Sequence, residues 1–262
     1  MNLTAKEKLE KVRDLRPIDD VFFEVLAANP AVCQEILRVI MEDNLLVVSD
    51  VIVQASEQNI YGRSVRLDAL CTLGNGKKCN IEVQRSDNDD HLKRVRYNAS
   101  MITAKESKTG TKFEEVLELY IVYISKFDLL NGNKTIYHID KILRETGAIV
   151  NDGLHEIFVN TVIDDGTDIS ELMSCFTKKE VKNPKFPVLS SEVHRLKESE
   201  GGVSAVCDVM QKYEKIAREE ERQEIIMSAL QNKMPKEDIK KYLKVKDEEI
   251  VEAERLLMQN LE

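Results

Sequence analysis

The 262-residue chain has no apolar run that approaches the roughly 18–20 residues needed to cross a bilayer. No signal-peptide pattern precedes the segment TAKE at residues 4–7, so we expect a cytoplasmic protein without a membrane partner. The five cysteines are scattered and form no Cys-x-x-Cys pair. An odd, scattered set indicates a reducing compartment and argues against a zinc knuckle.

The chain also lacks an excess of positive charge. It has 38 Lys and Arg against 47 Asp and Glu, which gives a net charge of −9. This balance argues against a large non-specific DNA-binding surface, because phosphate contacts need Lys and Arg. A nuclease is still compatible with it, since basic residues can be confined to one groove.

What the sequence does contain is a strong β-hairpin signal at residues 64–84. Residues 65–73 and 79–84 alternate between apolar and polar side chains, and the segment Gly74-Asn75-Gly76 between them is typical of a turn. Asp68 lies on the polar face of the first strand, and Asn80, Glu82 and Gln84 share the polar face of the second.

The register of this hairpin follows from keeping its apolar face continuous. A two-residue loop would pair Asp68 with Val83 and so set a polar face against an apolar one. A three-residue loop pairs Asp68 with Glu82 and Cys71 with Cys79, and we therefore favour it. Directly opposed side chains have Cβ atoms about 4.5–5.5 Å apart.

Two carboxylates at that separation repel each other unless a cation or a proton lies between them. Mg²⁺ is commonly held by one or two carboxylates together with substrate phosphates, so the spacing of Asp68 and Glu82 suits a divalent metal site. The simpler alternative is a pair of acids on the solvent face of a hairpin, which is common.

A resemblance to a known family favours the metal site. Asp68, the hairpin and then Glu82-Val83-Gln84 resemble the PD-(D/E)XK nuclease motif, in the variant with Gln in place of the usual Lys. The ordered segments around them are similar to the PD-(D/E)XK nuclease family transposases, also called the Rpn recombination-promoting nucleases. These segments are DDVFF at 19–23, GRSVRLD at 62–68, NIEVQR at 80–85, KRVRYN at 93–98, IYHI at 136–139 and IFVN at 157–160.

The resemblance implies a metal-dependent DNA endonuclease linked to recombination or mobile elements. Asp68 and Glu82 would bind Mg²⁺, with Mn²⁺ as a substitute, and the backbone carbonyl of Val83 would be a further ligand. Gln84 would stand beside the attacking water, where it can orient the water but cannot supply the positive charge of a Lys. The alternative is a catalytically inactive nuclease-fold module that binds DNA or protein.

Asp20 is a candidate supporting acid, because nucleases of this superfamily often take a further acid from the first helix. The alternative is a helix cap or a hydrogen-bond acceptor. Lys93, Arg94 and Arg96 are candidate phosphate contacts on a helix over residues 91–107. The alternative for them is a solvated face that balances the acidic loop at 86–90.

The predicted fold class is α/β, with a restriction-endonuclease-like αβββαβ core, a mixed sheet and a helical C-terminal region. We expect a nuclease-like core at residues 1–165, a helical extension at 166–218 and a charged helical tail at 219–262. The helical pattern of the extension includes one helix over 190–217. The end of the tail has a helix–turn–helix outline, but its second helix carries acids at 248, 249, 252 and 254, so an oligomerisation or packing hairpin fits better than a DNA reader.

Overall fold

The computed structural model describes residues 4–57, 65–107, 109–110 and 112–259. Its helices are Ala5–Asp14 (α1), Asp20–Ala27 (α2), Pro30–Ile40 (α3), His91–Glu106 (α4), Asp168–Phe176 (α5), Pro187–Glu198 (α6), Glu200–Gln231 (α7), Lys236–Leu243 (α8) and Asp247–Gln259 (α9). Its strands are Val48–Glu57 (β1), Val65–Leu73 (β2), Lys78–Gln84 (β3), Leu119–Ser125 (β4), Ile136–Ile139 (β5), Lys141–Ile142 (β6), Ile149–Val150 (β7) and Leu154–Asn160 (β8).

The main sheet has six strands in the order β1-β2-β3-β4-β8-β5. The pairs β1–β2, β2–β3 and β5–β8 are antiparallel, whereas β3–β4 and β4–β8 are parallel. The parallel β3–β4 connection runs through α4, as a crossover between parallel strands requires. This mixed sheet with its flanking helices confirms the predicted restriction-endonuclease-like α/β class.

The hairpin between β2 and β3 has the predicted register. Cys71 pairs with Cys79, and the Leu73 N–H donates to the Lys77 carbonyl at 2.9 Å, which closes a three-residue loop. Gly76 in that loop has φ 84°, a conformation that glycine adopts without a Cβ penalty. The apolar face is therefore continuous across the two strands.

Helices α2 and α3 begin and end where their local chemistry dictates. Asn29 accepts a hydrogen bond from the Ala31 N–H at 3.1 Å, and Pro30 occupies the first turn of α3. The side chains that recur with helical spacing on α3 are all buried, namely Cys33, Ile36, Leu37 and Ile40. Both helices contact β1 and so hold one end of the sheet.

Helix α4 spans the predicted residues except the last, Ser107. The spacing of its apolar residues favours an inner face that begins at Leu92, yet Leu92 is 44% exposed and this expectation is wrong. His91 is buried instead, and the buried residues that follow it recur with regular helical spacing: Val95, Asn98, Ala99 and Ile102. The helix is therefore turned so that His91 faces inward and Leu92 lies at the border of the buried face.

The structure has two helices, α6 and α7, where the sequence predicts one helix at 190–217. The break between them is at Ser199. A Cβ on Gly202 would lie 2.4 Å from the Arg195 carbonyl oxygen, so the first turn of α7 lies directly against the last turn of α6. The Ser199 hydroxyl accepts a hydrogen bond from the Gly202 N–H at 3.0 Å. Glycine at position 202 thus makes the sharp break possible.

The chain divides into two compact units, residues 1–207 and 208–262. The second unit has a small core of its own, formed by Ile226, Ile239, Val245, Ile250 and Ala253. The predicted boundaries at 165 and 218, and oligomerisation through the tail, stay predictions. Within the described part of the chain, no helix combines the length and apolarity needed to cross a membrane.

Candidate active site

Asp68 on β2 and Glu82 on β3 meet across the hairpin. The Val83 N–H donates to Asp68 Oδ2 at 3.0 Å, and the Asp68 N–H approaches Glu82 Oε1 at 3.4 Å. Glu82 is only 1% exposed and Asp68 is half-buried, so the pair lies at the edge of the protein interior. The structure therefore brings together the two acids that the hairpin register predicts as partners.

The carboxyl groups of both residues are difficult to ionise in this position. Burial, followed by the charge of Glu82, raises the pKa of Asp68 well above its ordinary value. Burial also raises the pKa of Glu82, against the opposing effects of the Asn80 amide and the Arg94 guanidinium. A cation placed between them would remove the penalty on the charged forms.

Each of the two carboxylates contacts a carboxamide. Asn80 Nδ2 donates to Glu82 Oε1 at 2.8 Å, and Gln54 Nε2 donates to Asp68 Oδ1 at 3.4 Å. Asn80 shares the polar face of β3 with Glu82, as the alternation predicts. Gln54 lies on β1, where apolar and polar residues are mixed, and its place beside Asp68 was not predicted because nothing in that pattern distinguishes Gln54 from the other polar residues of the strand.

Gln84 stands next to an arginine from α4. Arg94 Nη1 donates to Gln84 Oε1 at 3.2 Å, while Arg94 Nη2 lies 3.7 Å from Glu82 Oε2. Gln84 Nε2 donates to the Ser86 carbonyl oxygen at 2.8 Å, which fixes the orientation of the amide. A permanent positive charge thus lies beside the position where the commoner motif has a Lys.

The three basic residues predicted as phosphate contacts occupy different places. Arg94 is in the site, whereas Lys93 is 74% exposed in its side chain and pairs with Asp90 at 2.7 Å. Arg96 is exposed on the outer face of α4. The structure therefore brings one of the three to the carboxylates and leaves two on the surface.

Asp20, at the start of α2, is near enough for its charge to raise the pKa values of both Asp68 and Glu82. Its own pKa is raised, chiefly by the protein atoms around the carboxyl group, although the residue as a whole is exposed to solvent. The neighbouring Asp19 is buried and pairs with Arg85 at 2.9 Å. Helix α2 thus contributes a carboxyl group to the electrostatics of the site.

His91 and Tyr123 form a buried contact next to the site that the sequence did not suggest. His91 Nδ1 lies 2.8 Å from the Tyr123 hydroxyl, and Nε2 lies 3.2 Å from Asp87 Oδ1. Burial raises the pKa of Tyr123, and the charges of Glu82 and Asp68 raise it further, so this tyrosine is neutral at physiological pH. The contact fixes the start of α4, which carries Arg94.

The side-chain atoms of Asp68 and Glu82 decide whether the pair suits a divalent metal ion. Over residues 4–57, 65–107, 109–110 and 112–259, no group of three or more His, Cys, Asp or Glu side chains could hold a metal ion. Mg²⁺ needs only one or two carboxylates, with other oxygens and water completing its shell. In the described part of the chain, Glu82 Oε2 is a buried carboxylate oxygen that makes no hydrogen bond and has the Arg94 guanidinium at 3.7 Å, so it has room to bind a metal ion. The pair fits a hard divalent ion.

A cavity of about 820 Å³ lies elsewhere, beside α1 and α6. Lys197 on its wall is 5% exposed, and its ammonium group donates to the carbonyls of Arg13, Leu15 and Lys179. All three donors of the ammonium are thereby used. Burial lowers the pKa of Lys197 to about 8, which still leaves it mostly charged at neutral pH. We therefore interpret Lys197 as a structural residue that ties α6 to the backbone at residues 13, 15 and 179, and we refer to these contacts as its tie.

Comparison with known proteins agrees with the geometry. The family described as PD-(D/E)XK nuclease family transposase matches residues 26–163, just over half of the chain. This span contains Asp68, Glu82, Gln84 and Arg94 and begins after Asp20. Residues 62–64 of the motif-like segment lie within the span but outside the described residues. Searches of curated proteins and of solved structures returned no match. With its hairpin acids, its mixed sheet and this match, the chain belongs to the PD-(D/E)XK nuclease family transposases.

Proposed function

We propose that the protein is a metal-dependent DNA endonuclease that hydrolyses phosphodiester bonds and is associated with recombination or mobile elements. The observation that carries the proposal is the pair of half-buried Asp68 and buried Glu82, in which Glu82 Oε2 has no hydrogen-bond partner among the described residues. Two such acids with raised pKa values weaken a fold unless they serve a ligand.

Asp68, Glu82 and the backbone carbonyl of Val83 would hold Mg²⁺, or Mn²⁺ as a substitute. When bound, the ion supplies stabilisation of phosphoryl charge and a lower pKa for an attacking water. The Val83 N–H donates to Asp68 Oδ2, so the strand that carries the carbonyl ligand also orients the first carboxylate. These groups come from one hairpin and are held rigidly by it.

In the commoner motif a single Lys stands beside the attacking water and supplies positive charge. In this protein Gln84 would orient the water and Arg94 would supply the charge. The Gln84 amide can orient a water by hydrogen bonding, but it carries no charge. Arg94, which holds the Gln84 amide oxygen at 3.2 Å, carries the charge and can donate to a phosphate oxygen. Arg94 stays protonated and cannot act as a base, so its contribution is electrostatic.

DNA is the substrate that the family implies. The chain as a whole is acidic, with a net charge of −9, so non-specific attraction to the duplex is weak. The cations that face the acids, Arg94 above all, must then supply the local contacts to the scissile strand. We expect the affinity for DNA to depend only weakly on salt concentration, because few phosphates are neutralised by these contacts.

The absence of Lys at position 84 favours a second candidate, a nuclease fold that binds DNA or protein without cutting. One assay distinguishes the two candidate functions. Supercoiled plasmid is incubated with purified protein and Mg²⁺ or Mn²⁺, and a reaction with EDTA is the control. An endonuclease converts the plasmid to open-circular or linear form only in the presence of metal. A binding module leaves the plasmid supercoiled under every condition.

Loss of either acid should abolish metal-dependent cutting. Asp68→Ala and Glu82→Ala each remove a ligand and with it the main stabilisation of developing charge, which is worth several kcal/mol. Asp50→Ala is the matched control, because Asp50 is an exposed acid on β1 of the same sheet. If Asp68→Ala cuts as fast as the wild type, the proposed mechanism is wrong.

A further inference from the structure

Two amide side chains flank the carboxylate pair in the same way. Gln54 donates through Nε2 to Asp68, and Asn80 donates through Nδ2 to Glu82. On both amides the carbonyl oxygen, Gln54 Oε1 or Asn80 Oδ1, is buried and makes no hydrogen bond within the part of the chain that the structure describes. Buried acceptors of this kind are rare and call for an explanation.

The orientation of these amides is not arbitrary. With the carboxyl groups ionised, as metal binding requires, turning over either amide would set its carbonyl oxygen against a carboxylate oxygen, and two acceptors would meet without a proton between them. The carboxylates therefore select the orientation in which the N–H groups face them. The two carbonyl oxygens are left as unpaired acceptors beside a pair of acids.

The backbone of Gln54 is unusual as well. Its φ is 51°, although it lies within β1 between Val53, which pairs with Ala69, and Ala55, which pairs with Leu67. A residue other than glycine in this region is uncommon, and such residues cluster at functional sites. Asn80, for its part, is 0% exposed. Neither position is an ordinary surface amide.

We propose that Gln54 and Asn80 are positioning residues for a divalent cation: each holds one carboxylate through its N–H group and presents its carbonyl oxygen to the hydrated ion. This inference rests on the proposed metal-dependent function. Among the described residues, the two amide oxygens and Glu82 Oε2 are three buried acceptors without a hydrogen-bond partner, and the last of them has only Arg94 Nη2 nearby, at 3.7 Å. An ion that brings both positive charge and water molecules satisfies all three. Partners of this type commonly orient metal-binding carboxylates.

The test measures binding of Mn²⁺ alone to the purified full chain, from the EPR signal of the free ion. Gln54→Leu and Asn80→Leu should each weaken Mn²⁺ binding by about 10- to 100-fold, the usual effect of losing such a partner. Asp68→Ala should abolish it. Gln34→Leu is the matched control, because Gln34 Oε1 accepts a hydrogen bond from the Val48 N–H at the other end of β1. It should leave Mn²⁺ affinity unchanged.

A further variant guards against misfolding. Gln54→Gly removes the amide while allowing the positive φ without strain, so this variant should fold at least as well as the wild type. Because it lacks the amide, its affinity for Mn²⁺ should be reduced as in Gln54→Leu. If folded Gln54→Gly and Asn80→Leu bind Mn²⁺ as tightly as the wild type, while Asp68→Ala does not bind it, the inference is wrong and the proposed function stands. If the wild type binds no Mn²⁺ and cuts no plasmid, both are wrong.

Discussion

Neutralising one of the two acids should stabilise the metal-free protein. In Asp68→Asn the side chain keeps an oxygen that can accept from the Val83 N–H, which now donates to Asp68 Oδ2 at 3.0 Å. The Gln54 amide can turn over and accept from the new N–H₂ group, so its buried carbonyl oxygen gains a partner. The substitution therefore removes a charge, and it exchanges the unpaired carbonyl oxygen of Gln54 for an unpaired N–H₂ group of the same amide.

The size of the effect follows from the separation of the pair. Two unit charges about 5 Å apart repel by about 3 kcal/mol at an effective dielectric constant of about 20, which is an upper bound. Partial protonation of the pair already relieves part of this repulsion in the wild type. We expect Asp68→Asn to raise the free energy of unfolding by about 1–2 kcal/mol at pH 8 in EDTA.

The gain should depend on pH. The pKa of Asp68 is raised in the folded state, so over the range above its ordinary value of about 4 the folded wild type binds more protons than the unfolded chain. The free energy of unfolding of the wild type therefore falls as pH rises through this range, and the Asp68→Asn variant escapes that fall. Below about pH 4, Asp68 is protonated in both the folded and the unfolded wild type. The stability advantage of the Asp68→Asn variant therefore disappears there.

Urea unfolding in EDTA at several pH values measures the difference, provided that the dependence on urea concentration is unchanged. Asp50→Asn, at an exposed position, should change the free energy of unfolding by less than about 0.5 kcal/mol. Saturating Mn²⁺ should reverse the order, because only the wild type gains from binding the ion. An Asp68→Asn variant that is less stable than the wild type at pH 8 in EDTA would refute the argument of buried repulsion.

The remaining predictions concern the arginine of the site and the buried lysine. Gln84→Lys should retain plasmid cutting, whereas Arg94→Ala should slow it about 100-fold, the usual cost of one group that stabilises transition-state charge. Combining the two substitutions should recover part of the rate, and Arg96→Ala, on the exposed face of α4, should change the rate by less than about twofold. Lys197→Met leaves three backbone carbonyls without their donor and should cost about 2–4 kcal/mol in urea unfolding. The exposed Lys182→Met is its control and should be neutral.

The hairpin could be predicted from the sequence because side chains alternate between the two faces of a strand, which leaves few possible registers. The apolar face of β2 is continuous with that of β3 in only one parity, so Asp68 and Glu82 had to meet if the loop was Gly74-Asn75-Gly76. Helices α2 and α3 were equally readable, since Asn29 and Pro30 mark their boundary. These features depend on neighbours along the chain, which a sequence displays directly.

The contacts of Arg94 and Gln54 could not be predicted, because they depend on how distant segments pack. The sequence places Arg94 on a helix with two other basic residues and does not say which of them faces the sheet. The rotation of α4 decides this, and His91 sets that rotation by reaching Tyr123, thirty-two positions further along the chain. The same rotation explains why Leu92 is exposed.

The tie made by Lys197 has a consequence for synthesis of the protein on the ribosome. The Glu35 carboxylate on α3 accepts from the backbone N–H groups of Val188 and Leu189 at 3.1 and 2.7 Å, and Lys197 closes on carbonyls near residue 14. The family-matched span at 26–163 therefore lacks the partners of Glu35 on α3, and the segment before the span lacks the donor that Lys197 supplies. We expect a nascent chain to remain incompletely folded until α6 has left the exit tunnel, and a fragment cut at residue 163 to expose its unfinished apolar surface to chaperones and proteases.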